Sequence, residues 1–277
     1  MKKRDHQKSA FHTLAGGIKH ENCLITISRF ADESLSKTLR SISTSRASSY
    51  FDVVIKLASG CSEFDINRLC NEAESLCLSG LVISCKDEGI YSAMNQALAI
   101  ASETYTGYCW FINAGDFCGD GISACNDLLC TRSEGVDSPV IIGSVDILST
   151  LGEYSYTYNW LPPPLCWLKP PLHASIIFPY SYWRTARYDE DLLLCADIKY
   201  IYNALSRCSI FGAPRSRTIA YFSLGGISSS KRSLGTSLIF SLQRIRVNFS
   251  SLPIWWALPV SVLDAARLII RGFLPKA

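Results

Sequence analysis

The 277-residue chain is 48% hydrophobic and 18% charged, with a formal net charge of +3 and a mean hydropathy of +0.15. This length suits one large α/β domain with appended segments or two small domains, and so small a charge gives no reason to expect nucleic acid as a partner. Twelve cysteines with no CxxC pair and no histidine at ligand spacing argue against zinc. The first twenty residues are charged and lack the apolar core of a signal peptide, so reduced thiols in a cytoplasmic protein are expected.

After the polar leader (1–20), Cys23–Arg29 is a β-type run. Asp32 stands at an N-cap position before Leu35, Leu39 and Ile42 at helical spacing. Asp52–Leu57 reads as a second strand, Asp65–Leu78 as a helix, Leu81–Cys85 as a third strand and Tyr91–Ala101 as a helix. Tyr108–Asn113 is nearly all apolar, as expected of a strand buried on both faces. Four alternations of strand and helix predict a mostly parallel, doubly wound sheet. Ligands bind outside the carboxyl ends of such strands, which directs attention to the loops after Arg29, Leu57, Cys85 and Asn113.

The second half is less regular. Val140–Leu148 and Ala174–Pro179 read as strands around a Pro- and aromatic-rich stretch, 154–171, followed by a helix from Asp189 to Ser206 and a strand at Ile219–Phe222. From Arg207 onward ten basic residues face Asp264 alone, a balance that suits anionic lipid or phosphate. Trp255–Phe273 predicts an amphipathic helix with Asp264, Arg267 and Arg271 on one face, lying on a membrane surface or packing against the main domain.

Two segments carry the chemistry: Asp87-Glu88-Gly89-Ile90-Tyr91-Ser92-Ala93-Met94-Asn95-Gln96-Ala97, and Trp110-Phe111-Ile112-Asn113-Ala114-Gly115-Asp116. Asp116 is a carboxylate in a Gly-containing turn at a strand end, a suitable hard oxygen ligand for a phosphate-bound Mg²⁺ or Mn²⁺. By spacing alone a cap for the following helix is the favoured reading. Together the segments resemble the D-x-G-I-Y-D-A-M-N-K-G and L-N-A-G-D blocks of family-2 glycosyltransferases in bacterial surface-polysaccharide (colanic-acid-type) pathways. The similarity extends from Leu24 to about Ser229 through His173-Ala174, Tyr188-Asp189-Glu190, Ala196-Asp197 and Gly225-Gly226-Ile227-Ser228.

The resemblance implies a GT-A fold over 21–230, with 231–277 a basic amphipathic C-terminal segment. It implies inverting transfer from a nucleotide-diphosphate-sugar donor, a UDP- or GDP-sugar, to a hydroxyl of a glycan or lipid-linked acceptor, with a divalent metal. Asp116 would bind the metal, and Asp197 would be the catalytic base. Asp87, Asn95, Asn113, Ser28 and Arg29 would hold the donor nucleotide. His173, Gly225, Gly226, Ser228, Lys231 and Arg232 would form the phosphate and acceptor loop. Peripheral contact with the inner face of the cytoplasmic membrane would run through 244–274.

The pattern departs at Lys56-Leu57-Ala58-Ser59-Gly60, where the family has an Asp-Gly-Gly-Ser-type motif, and at Cys85, where an acid is usual. Ser92, Gln96 and Ala174 also differ from the pattern. These losses leave open a silent nucleotide- or glycan-binding partner of an active transferase. A dehydrogenase is a poor reading, because Ser28-Arg29-Phe30 stands where G-x-G-x-x-G would follow the first strand.

Overall fold

The computed structural model describes residues 10–58, 61–130, 138–149, 153–224 and 234–273. In chain order its strands are β1 (Ala10–Thr13), β2 (Asn22–Ser28), β3 (Phe51–Leu57), β4 (Gly80–Ser84), β5 (Cys109–Phe111), β6 (Phe117–Cys118), β7 (Val140–Ile142), β8 (Ser144–Leu148), β9 (Tyr154–Tyr158), β10 (Ile176–Phe178), β11 (Ile210–Gly212) and β12 (Thr218–Ser223). The α-helices are α1 (Glu33–Thr44), α2 (Glu63–Ser75), α3 (Ile90–Thr104), α4 (Asn126–Cys130), α5 (Tyr180–Trp183), α6 (Ala196–Arg207), α7 (Leu234–Ser251) and α8 (Ile254–Phe273).

Every residue of β2 and β3 is buried, because the central sheet is covered on both faces. Along β2, Cys23, Ile25 and Ile27 join one core with α3 and α6, while Leu24 joins the other with α1 and α2. This two-residue alternation is what a doubly wound sheet requires. The strand order is β1-β4-β3-β2-β5-β10-β7-β11. The β4-β3-β2-β5 block is parallel, β7 and β11 run the same way, and β1 and β10 are antiparallel to their neighbours. A second sheet, β6-β12-β8-β9, stands beside it.

Local chemistry sets the element ends. Asp32 accepts hydrogen bonds from the Ser34 and Leu35 amides and caps α1, as its position predicts. Ser62 and Asp65 form a reciprocal capping box, so α2 begins two residues earlier than expected, at Glu63.

Three expectations need correction. The single strand predicted over Val140–Leu148 is two strands in different sheets. They are hinged at Gly143, where a Cβ would lie 2.6 Å from the Ile219 side chain. The helix predicted from Asp189 starts at Ala196, because the backbone of Tyr188 is held by Asn95 and Asp189 turns on itself to accept from the Asp191 amide. Within the segment read as a polar leader, Ala10–Thr13 pairs with β4 as an edge strand.

The C-terminal helices α7 and α8 form an antiparallel hairpin. Arg244 pairs with Asp264 at 3.1 Å, and Asn248 donates to Ser261 and Asp264. Asp264 therefore faces the hairpin interior, not a solvated charged stripe. The hairpin docks on α6, where Gln243 accepts from the Leu194 amide. Its outer side leaves Leu238, Leu242, Phe249, Trp255, Leu258 and Val262 exposed. Among the described residues, no helix is long and apolar enough to cross a membrane.

Candidate active site

The strand directions bring the predicted residues to one edge. Ser28, Lys56 and Asn113 lie at or just past the carboxyl ends of β2, β3 and β5, and Asp87 follows β4. His173 precedes β10, which runs antiparallel to β5, so it arrives at the same edge. Tyr91, in the first turn of α3 after β4, donates through its hydroxyl to Asp197 Oδ1 (3.3 Å) and ties the start of α6 to this edge.

The turn after β5 is tightly specified. Gly115 sits at φ +97°, and a Cβ there would come within 3.1 Å of Ser34 Oγ, so a side chain would be strained and crowded. The Gly115 amide donates to Thr38 Oγ1 (2.9 Å), and Thr38 in turn donates to the Asp116 carbonyl (2.8 Å). The Asp116 carboxylate is 8% exposed and accepts from the Ser223 amide at 3.1 Å, at the end of β12. Burial pushes its pKa up to about 7, against the opposing pull of that amide. In the same turn, Asn113 Oδ1 is buried without a hydrogen-bond partner among the described residues. Two hard oxygen donors on one turn, one of them orphaned, fit a divalent cation held with substrate phosphate oxygens. No group of three or more metal-ligating side chains occurs among the described residues.

Asp87 has the opposite environment. Lys56 is fully buried and directs its ammonium to the carbonyls of Leu57 and Cys85 (both 2.8 Å) and to Asp87 Oδ2 (3.0 Å). Asp87 Oδ1 accepts from the Gly89 amide at 3.3 Å.

At the α6 side, Asp197 is half-buried and also accepts from the Ile198 amide (2.8 Å). Burial raises its pKa, partly offset by these hydrogen bonds and by Arg244. Tyr91 stacks on Tyr188, and the Tyr188 hydroxyl meets His173 Nε2 at 2.6 Å. Burial among Phe111, Phe178 and Tyr188 pushes the His173 pKa down to about 4, so the imidazole is neutral at pH 7.

Other predicted residues are engaged elsewhere or lie outside. Asn95 is committed to the 188–190 loop, donating to the Tyr188 carbonyl and Glu190 while accepting from the Tyr188 amide. Ser28 donates to the Phe30 carbonyl, and Arg29 is exposed over the Phe30 ring. Gly225, Gly226, Ser228, Lys231 and Arg232 lie outside the described residues, although Ser223 brings the chain to Asp116 just before them. Tyr188 falls in the Tyr188-Asp189-Glu190 stretch of the resemblance without an assigned role, while Thr38 and Ser223 carry no sequence signal for theirs.

No protein-family model matches the sequence. No curated protein matches it. Solved structures do match the fold. Residues 1–349 of S. aureus TarS in complex with UDP-GlcNAc superimpose with a TM-score of 0.59 at 12% identity, covering 88% of this chain and 71% of that one. A longer S. aureus TarS structure gives 0.52 at 11% identity, over 91% of this chain and 43% of that one. A mannosyltransferase from Pyrobaculum calidifontis, in complex with GDP-Man and Mn²⁺, gives 0.54 at 13% identity, over 93% and 77%. The chain has the α/β architecture of the GT-A glycosyltransferases, a large central sheet flanked by helices.

Proposed function

We propose that the protein is an inverting glycosyltransferase of the family-2, surface-polysaccharide type, moving a sugar from a nucleotide-diphosphate donor to an acceptor hydroxyl. The observation that carries this reading is the placement of two different carboxylates on one sheet edge. Asp116 is buried with no cationic side chain beside it among the described residues, and Asp197 has a raised pKa and a tyrosine hydroxyl to orient it. The ligands printed for the structural neighbours, UDP-GlcNAc in one and GDP-Man with Mn²⁺ in another, support a UDP- or GDP-sugar as donor.

In this reading Asp116, with Asn113 beside it, would hold Mn²⁺ or Mg²⁺. The ion, when bound, offsets the charge of the departing diphosphate. Asp197 takes the proton from the acceptor hydroxyl as that oxygen bonds to the anomeric carbon and the bond to the diphosphate oxygen breaks. A base with a raised pKa is well matched to this task near neutral pH. His173, neutral and held by Tyr188, lines the same edge as an uncharged contact for phosphate or acceptor.

The α7–α8 hairpin supports peripheral attachment at the inner face of a cytoplasmic membrane, through 244–274, with a lipid-linked acceptor. Its outer side is apolar, its one acid is taken by Arg244, and it packs on the helix that bears Asp197. The alternative, a silent nucleotide- or glycan-binding partner, draws on the lysine that stands where the family has an acid. Turnover separates the two. With each candidate nucleotide sugar and Mn²⁺, wild type should release nucleoside diphosphate, and Asp197→Asn should lower the rate at least 10³-fold while donor binding persists. Equal rates in wild type and Asp197→Asn would contradict the assignment of the base.

A further inference from the structure

Lys56 is among the largest fully buried side chains in the molecule, and its charge lies at the ligand-bearing edge of the sheet. A buried ammonium is tolerated only when its three protons are satisfied. Here they are, by the carbonyls that end β3 and begin the loop after β4, and by Asp87 Oδ2. With no donor to spare and no exposed surface, Lys56 is not placed to touch a ligand. Asp87, by contrast, keeps part of its surface open, with its side chain 14% exposed. Its two oxygens each carry one fixed partner, Lys56 and the Gly89 amide. Each ionised carboxylate oxygen has a second acceptor position.

We infer that Lys56 is a positioning residue. It fixes the Asp87 carboxylate so that its remaining acceptor positions take N–H or O–H donors from the nucleoside of the donor substrate, a ribose diol or an imide-bearing base. The inference rests on the transferase reading above. It also gives the replaced acid a specific consequence: the family's second acidic contact is exchanged for a cation that organises the first. Lys56 spans strands β3 and β4 and the following loop, so one side chain sets the geometry of that whole corner.

The test is a double-mutant cycle of Lys56→Met and Asp87→Asn, read by calorimetric titration with UDP, GDP and inorganic diphosphate in Mn²⁺. Lys56→Met should weaken the nucleoside diphosphate that wild type binds at least tenfold and leave inorganic diphosphate within twofold, because the diphosphate end lies at Asp116. In the Asp87→Asn background, Lys56→Met should add less than a threefold loss. A residue that only supports the fold would weaken both ligands alike or neither, and either pattern overturns the inference. Should Lys56→Met fail to fold, Lys56→Gln is titrated in its place, with the same outcomes expected. Wild type that binds inorganic diphosphate but no nucleotide contradicts the positioning role alone. Wild type that binds neither removes the donor site, and with it both readings.

Discussion

Asp87 and Asp116 follow β4 and β5 at the same sheet edge, with β3 and β2 between them, yet the protein treats their charges in opposite ways. Asp87 is matched by a buried lysine 3.0 Å away. Asp116 is buried and, among the described residues, its carboxylate accepts only from a backbone amide, and burial lifts its pKa to about 7. A fully buried acid, Asp52, lies near the other end of β3 and is satisfied by Ser79 and by the amides of Lys19 and His20. Asp52 and Asp87 are thus compensated from within the protein. The uncompensated one sits where the proposed cation and diphosphate would supply the missing positive charge.

That contrast can be broken at Asp116 first. Its folded pKa is raised above the unfolded carboxylate value, so the folded state holds the proton more tightly, and stability falls as pH rises from about 4 to about 7. Without divalent cation, Asp116→Asn should therefore be more stable than wild type at pH 8, by up to about 4 kcal/mol, and no more stable near pH 4. Denaturant unfolding in a chelator measures this directly. A variant that is less stable than wild type at pH 8 would mean the carboxylate is compensated after all.

His173 offers a milder version with the opposite sign. Its folded pKa of about 4 lies below the unfolded value, so the unfolded chain binds the extra proton. Stability present above about pH 6.5 is lost as pH falls toward 4, a loss of roughly 3 kcal/mol. His173→Phe should flatten the unfolding free energy over that window. An unchanged acid slope would place the sensitivity elsewhere.

The smallest effect on stability is expected at the hairpin surface. Trp255 is 72% exposed, so Trp255→Ala combined with Leu258→Ala should shift unfolding by less than about 0.5 kcal/mol. The same pair should weaken sedimentation with phosphatidylglycerol vesicles several-fold. Undiminished vesicle binding would detach the membrane role from this face.

The first half of the fold was legible because its signals are local. β2 through β5 are apolar runs, α1 announces itself through Asp32, and α2 through the spacing of Ile66, Leu69 and Ala73. The second half is built of three- to six-residue strands whose pairing is decided by distant partners. Gly143 splits the segment read as one strand because Ile219 fills the space beside it, and Tyr-Ser-Tyr-Thr-Tyr in β9 is too exposed to show a buried face. At the candidate site, motif resemblance pointed to Asp87, Asp116 and Asp197. Their environments were not readable: Lys56 lies 31 positions from Asp87, and Ser223 lies 107 from Asp116. No period or spacing in the sequence connects residues so far apart.

The central claim is a nucleotide-sugar site completed by a metal at Asp116. It is tested most directly by calorimetric titration of UDP, GDP, dTDP and ADP into the protein with and without Mn²⁺, repeated with Asp116→Ala. The account predicts that one nucleotide, UDP or GDP, binds in a Mn²⁺-dependent manner and that Asp116→Ala removes this binding. Mn²⁺-dependent binding that survives in Asp116→Ala, or no binding by folded wild type, would contradict it.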